Sequence, residues 1–313
     1  MATTAAPVPR DQQGAHSQQL LTVLLGDYWF RRPEPVPSGA LVELLGIFGV
    51  TEAGARAAIQ RLAQRGFLQV HRTGRSTAYG VDSDVHGEIV ERIAALFMGS
   101  SGAAWDGTWT VAAYSLPETA RAARNALREQ LRRHRFGNLY DGLWVRPGDC
   151  SAQVEEIRRA LDEQIGSADL TCFVSARMPG TGDPVALAAR AFDLPEVRRG
   201  YEQFIERWRG LADERRAAAR EGSSPYGAEQ ALRVRTTVMR EWRELRHSDP
   251  RLPEELLGAD HPLAEAAAQS AFLYDDLGPQ AERAFQNVLA GYDPELAQRA
   301  AHHTFQELSQ LGG

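Results

Sequence analysis

Three changes of rhythm along the 313 residues predict an α+β fold built in consecutive parts. Between Ser38 and Asp82 the apolar positions run twice at helical spacing. They then switch to a two-residue alternation broken by a glycine. Helix, turn, helix and hairpin in that order predict a winged helix-turn-helix over 17–82. From Trp105 to Arg177 strand and helix signals follow in the order βαββαβ, which predicts a ferredoxin-like middle domain over 105–177. Beyond that, amphipathic helices dominate, and 178–313 is expected to be an α-helical domain for dimerisation and effector binding. Residues 1–16 are expected to be a disordered tail, and 83–104 a linker helix and joint.

The second helix of the amino-terminal part has legible ends. Thr51 suits the N-cap, Glu52 places a carboxylate at the positive end of the dipole, and Gly66 suits the left-handed position after the last turn. Ala55, Ala58, Ile59 and Leu62 form one apolar stripe; Arg56, Gln60, Arg61 and Gln64 fall on the other side. Leu68 and Val70 alternate with Gln69 and His71, Thr73-Gly74 turns the chain, and Tyr79 and Val81 return with the same rhythm. A helix from Ser17 to Trp29 supplies the third helix of the core, and RRPEPVP at 31–37 is expected to be loop because proline removes amide donors.

Charge singles out the same stretch. From Ala53 to Val81 there are five arginines (56, 61, 65, 72 and 75) and no carboxylate, in a chain of net charge -6. Residues 1–82 carry a net +2 and 105–177 a net zero, so the remainder is acidic. An acidic carboxy-terminal part repels nucleic acid and suits a partner subunit or a small ligand. A charged helix face is by itself a solvated face as readily as a reading head. The hairpin arginines add a second element able to reach phosphate.

In the middle part, strands are expected at Thr108–Tyr114, at 138–140, at 142–145 and over Asp169–Ser175. Helices are expected from Pro117, at the first helical position, to about His134, and from Ser151 to Gln164. Arg121, Arg124, Arg128, Arg132 and Arg135 make a guanidinium stripe, with three readings: a solvated face, a second contact to DNA, or a contact to ligand phosphates. Further on, helices are expected over Leu194–Arg220, Ala228–Leu245, Pro262–Tyr274 and Pro279–Leu289. Trp208, Tyr226 and Trp242 are the aromatic candidates for an effector pocket among them, against the plainer role of filling the core.

Catalytic signatures are missing: there is no G-x-S-x-G, P-loop, G-x-G-x-x-G or H-E-x-x-H. No cofactor and no metal site is expected, since His302 and His303 are adjacent and point apart on a helix. Cys150 and Cys172 are too far apart in sequence to suggest a metal clip or a redox pair, and read as reduced. No apolar run approaches the ~18 residues of a membrane span and no signal peptide is evident, so the expected location is the cytoplasm.

The segments LLTVLLGDYW (20–29), GVTEAGARAAIQRLAQRGFL (49–68), RTGRSTAYGV (72–81), WDGTWTVAAYSLPE (105–118), RHRFGNLYDGLWVRPGD (133–149) and RTTVMREWRELRHSDPRLPEELL (235–257) resemble the PaaX family of bacterial transcriptional repressors. The likeness covers nearly the whole chain in the family's order. It implies a homodimer that binds double-stranded operator DNA and is released by an aryl-CoA or other acyl-CoA thioester such as phenylacetyl-CoA. The middle part of that family resembles a small CRISPR nuclease with a metal-binding aspartate at the end of its first strand; here that position is Ser115, so nuclease activity is not expected.

The sequence thus points to a DNA-binding regulator and not an enzyme. Arg56, Gln60, Arg61 and Gln64 are the candidates for the major groove, Thr51 for a cap or phosphate contact, and Arg72 and Arg75 for the wing. The competing reading is an acyl-CoA-handling enzyme or ligand carrier whose winged helix makes only protein contacts.

Overall fold

The computed structural model describes residues 10–29, 31–81, 104–161, 165, 169–177, 183–220 and 226–309. The fold is α+β. The expected linker helix and its joint, and most of the loop after 177, lie outside the described residues. Two compact units emerge: Met1–Phe97 with Glu206–Glu244 and Ala267–Gly313, and Met98–Ile205 with Leu245–Ala266. Helices beyond residue 183 contribute to both units. Helical periodicity shows which face of a helix is buried, not what buries it.

The first unit opens with α1, Arg10–Tyr28. It starts about two turns before the expected Ser17, because a stretch without apolar periodicity can still be helical when no proline or glycine cluster interrupts it. β1 (Val36–Pro37) follows, then α2 (Ser38–Ile47), α3 (Glu52–Gln64), β2 (Leu68–Thr73) and β3 (Ser76–Val81). RRPEPVP is not wholly loop, since Val36 pairs with Tyr79 and Pro37 with Ala78. The sheet order is β1-β3-β2, so the proline sits on an edge strand, where its missing donor costs nothing.

The second unit is built on β4 (Trp109–Tyr114), α4 (Arg121–Arg133), β5 (Gly137–Tyr140), β6 (Leu143–Pro147), α5 (Ser151–Ala160) and β7 (Leu170–Ala176). All its strand pairs are antiparallel, in the order β5-β6-β4-β7. One core joins α4 and α5 to the sheet through Leu127, Leu131, Val154, Ile157 and Trp144. On the opposite face, α6 (Pro184–Phe192) and a 3-10 turn at Glu254–Leu256 pack on Trp109, Leu139 and Val145. Pro117 is not the first residue of α4. Its carbonyl accepts Ala120 N–H at 3.0 Å to close a turn, and the helix begins only at Arg121. Cys150 is buried, Cys172 is half-buried, and both are free thiols.

The remaining helices are α7 (Leu194–Arg220), α8 (Ala228–Ser248), α9 (Leu263–Asp276), α10 (Gly278–Ala290), α11 (Pro294–Ala297) and α12 (Phe305–Ser309). In the first unit they complete the core of the amino-terminal helices. Leu24, Leu41, Leu45, Ile59 and Leu68 share one cluster with Leu232, Phe285, Leu289 and Leu296. Phe285 stacks on Tyr28, ring centroids 4.9 Å apart. Each such side chain, fully buried, contributes roughly 1.5–3 kcal/mol. Among the described residues no helix is long and apolar enough to cross a membrane.

Candidate nucleic-acid interface

α3 is fixed at both ends by its own sequence. Thr51 Oγ1 accepts Gly54 N–H at 3.2 Å, which gives Thr51 the cap role. At the other end Gly66 has φ +74°, and Gly66 and Phe67 N–H reach back to Ala63 O and Leu62 O at 3.0 Å each. Those bonds satisfy carbonyls that would otherwise be orphaned and turn the chain directly into β2. Ala55, Ala58, Ile59 and Leu62 are buried in the shared core. The opposite face, with Arg56, Gln60, Arg61 and Gln64, is exposed.

Beside it stands a tight hairpin. Thr73 pairs with Ser76, leaving Gly74-Arg75 as the two-residue loop, with Gly74 at φ +61°. Arg72 and Arg75 are both exposed, as is the whole of β2 after Leu68. Val70, which shares the place of Leu68 in the alternation, is 46% exposed. Arg61, Arg65, Arg72 and Arg75 make no ion pair with another described residue. Arg56 differs from them: its Nη2 lies 2.7 Å from Glu52 Oε1 in an exposed pair one turn apart. The carboxylate-free stretch begins just after Glu52, and the helix brings that acid back over the first arginine.

The stripe on α4 is largely tied down within its own unit. Arg124 donates to Leu116 O and Pro117 O at 2.9 and 3.1 Å. Arg128 bonds Tyr114 Oη at 2.8 Å and pairs with Asp141. Arg132 lies over the Trp144 ring, 5.6 Å from its centroid, and Arg135 donates to Asp249 O. Only Arg121 keeps the character of a plain solvated residue. Ser115 is exposed and uses its N–H on Asp169 O at 3.0 Å. Among the described residues no three His, Cys, Asp or Glu side chains gather as metal ligands.

The aromatic candidates behave as core. Trp208 is 9% and Trp242 1% exposed. Trp208 Nε1 donates to Glu241 Oε2 at 2.9 Å, and Trp242 packs its ring on Phe305 at 5.9 Å. Tyr226 is half-buried beneath Arg215, 5.4 Å from its ring centroid. None of the three borders a cavity of about 590 Å³ in the second unit, whose wall includes Arg133, Trp144, Arg190 and His247. Sequence reading missed that cavity. Arg133 points off the stripe, and Arg190 and His247 come from helices remote in sequence.

Comparison with known proteins gives consistent matches over most of the chain. Residues 16–83 match the model for PaaX-like protein, 102–188 that for the PaaX protein central Cas2-like domain, and 192–287 that for the PaaX-like protein C-terminal domain. The transcriptional repressor PaaX of Escherichia coli (strain K12) is 30% identical over 266 residues, covering 84% of this chain and 80% of the relative. Among solved structures, the uncharacterized protein Rv0674 from Mycobacterium tuberculosis is similar in fold, with a TM-score of 0.54 and 22% identity. That match covers 89% of this chain and 97% of the other.

Proposed function

Because the chain belongs to the PaaX family, whose Escherichia coli member is a transcriptional repressor and not an enzyme, we propose that it represses transcription by binding operator DNA. One observation carries the proposal. Gln60, Arg61 and Gln64 stand exposed on the face of α3 opposite its buried stripe, next to a hairpin with exposed Arg72 and Arg75. On this reading the amino-terminal block works as a winged helix-turn-helix. α3 lies in the major groove, where arginine donates two bonds to guanine and glutamine pairs with adenine. The hairpin arginines neutralise phosphate, and Arg56 joins once its exposed pair with Glu52 opens, at a cost of about 0.3–0.5 kcal/mol.

The middle block, on this reading, is a ferredoxin-like module; its strand order supports that. It has lost any nuclease role, having Ser115 where a carboxylate would hold the metal. The protein acts as a homodimer, matching two half-sites with two copies of α3. An acyl-CoA thioester such as phenylacetyl-CoA releases it.

The test is fluorescence anisotropy of purified protein on the DNA upstream of its own gene, with and without phenylacetyl-CoA. Specific binding abolished by the thioester supports the proposal. Absence of any DNA affinity at low salt removes it.

A further inference from the structure

The cavity of about 590 Å³ lies within the second unit, where the end of α4, strands β5 and β6, the end of α6 and residues 247–250 meet. Its size falls in the range of about 300–1,000 Å³ common to small-molecule sites. Gly137 on β5 sets one wall. A Cβ there would lie 2.8 Å from Ala191 O and from the Phe192 ring, so strand and helix touch through the missing side chain.

The lining is rich in donors. Arg132, Arg133, Arg135 and Arg190 contribute guanidinium groups, against the carboxylates of Glu129, Asp193 and Asp249. Asp249 is already committed. Its Oδ2 pairs with buried Arg246 and accepts from Tyr201 Oη, and its Oδ1 accepts Arg251 N–H at 2.6 Å. Behind this wall the positive charge is crowded. Burial lowers the pKa of Arg135, and Arg146 and Arg246 add to the effect against the opposing pull of Asp249. Burial first, then Arg135 and Arg246, brings Arg251 down to about 10.

A second observation is independent of net charge. Trp144, 2% exposed, lines the cavity, and the guanidinium of Arg132 lies over its ring, 5.6 Å from the centroid, which sets that group at the cavity wall. The backbone is also constrained here. Arg135 and Asp193 hold φ values of +60° and +49°, in the region that favours glycine, and such conformations concentrate at ligand sites.

We propose that this cavity binds a small phosphate-bearing molecule whose oxygens accept from the guanidinium groups of Arg132, Arg133 and Arg190. Phosphate fits the wall on both counts, since it has acceptor oxygens on every side and the negative charge that the surplus arginines lack. For its regulatory meaning the proposal rests on the repressor reading, a CoA thioester being a phosphate-rich effector.

The experiment is calorimetric titration of the full chain with coenzyme A and, separately, with inorganic pyrophosphate, alongside anisotropy on operator DNA. A double variant is compared with wild type: Arg133→Gln combined with Arg190→Gln, both exposed. The expected result is saturable binding of coenzyme A that weakens about tenfold or more in the double variant. Melting temperature and DNA affinity are expected to stay unchanged in the double variant.

Three outcomes overturn the proposal: no binding of either probe at millimolar concentration, binding that is equal in wild type and double variant, or loss of DNA affinity in the double variant without any small-phosphate binding. That last result assigns the arginines to duplex phosphates. Coenzyme A binding that depends on these arginines in a protein without DNA affinity removes the repressor reading and leaves the site standing.

Discussion

Tyr274 donates its hydroxyl to Asp27 Oδ1 at 2.9 Å and so joins α9 to α1 across 247 positions of sequence. Arg235 of α8 completes the contact. Its Nη1 lies 3.6 Å from Asp27 Oδ2, its Nε donates to Tyr274 O at 2.9 Å, and its guanidinium carbon sits 3.6 Å from the centroid of the Tyr274 ring. All three residues are buried. The helix that supports α3 is thereby anchored to carboxy-terminal helices by a buried charge pair. Such a pair adds little by its formation but is costly to break from one side.

Replacing Asp27 by alanine leaves the Arg235 charge buried without its carboxylate and is expected to cost about 3–5 kcal/mol. Tyr274→Phe removes one hydrogen bond and is expected to cost about 1–3 kcal/mol. Urea titrations of the two variants check the order. Equal and negligible losses would mean that Asp27 does not hold the unit together.

Loss of Arg72 or Arg75 should weaken binding to every DNA sequence alike. Each substitution by alanine should flatten the plot of log affinity against log salt by about 0.9 for the phosphate contact it removes. The measurement is anisotropy between low and moderate salt on specific and scrambled duplexes. A change confined to the specific duplex would place these arginines on base edges.

Glu52→Gln separates the pair on α3. Because the pair with Arg56 is exposed, stability is expected to change by less than about 0.5 kcal/mol. DNA affinity is expected to rise as Arg56 becomes available and one acidic group leaves the interface. Unchanged affinity, with Arg56→Ala also silent, would take Arg56 out of the reading surface.

Acid sensitivity has a local source at Glu282. Burial raises its carboxyl pKa, but the bonds from His302 N–H at 2.9 Å, the His302 ring at 2.6 Å and Gln286 outweigh that, and the net shift is downward from 4.5. A folded-state value below the unfolded one contributes stability that is present above the unfolded pKa. That contribution is lost as pH falls through the lowered value. The stability gap between wild type and Glu282→Gln should therefore be open at neutral pH, begin to narrow as pH falls through the ordinary carboxylate range, and close only below the lowered value. A gap that widens on acidification would mean that the folded-state pKa of Glu282 lies above the unfolded one.

Burial pushes both thiols above their ordinary pKa, at Cys150 and at Cys172. Little thiolate then exists near neutrality, and reaction with a chromogenic disulfide is expected to be slow in the native protein and fast in denaturant. Prompt reaction of one thiol in the native state would show that its position opens readily.

What the sequence made legible was local. Thr51 and Gly66 announced the ends of α3, and Gly74 the hairpin, because each acts on the backbone within a turn of itself. The strand and helix order of the middle block was equally readable from alternation. Three things were not. Val36–Pro37 joins a sheet whose other strands lie some forty residues on, so no local signal marks it as a strand. The role of Arg128 depends on Tyr114 and Asp141, brought together only by the fold. Trp208 and Trp242 have the composition of a ligand box, yet the ring of one faces Phe305 and the indole N–H of the other is spent on Glu241. Aromatic content alone does not separate a pocket from a core.

The central claim is that the exposed face of α3 reads base sequence. Its most direct measurement is the ratio of operator to scrambled-DNA affinity, at fixed salt, for wild type and for Gln60→Ala and Arg61→Ala. The account predicts that each variant loses about 1–3 kcal/mol on the operator and tolerates change at one base step, with scrambled-DNA affinity nearly preserved for Gln60→Ala. An undiminished ratio in both variants would contradict it.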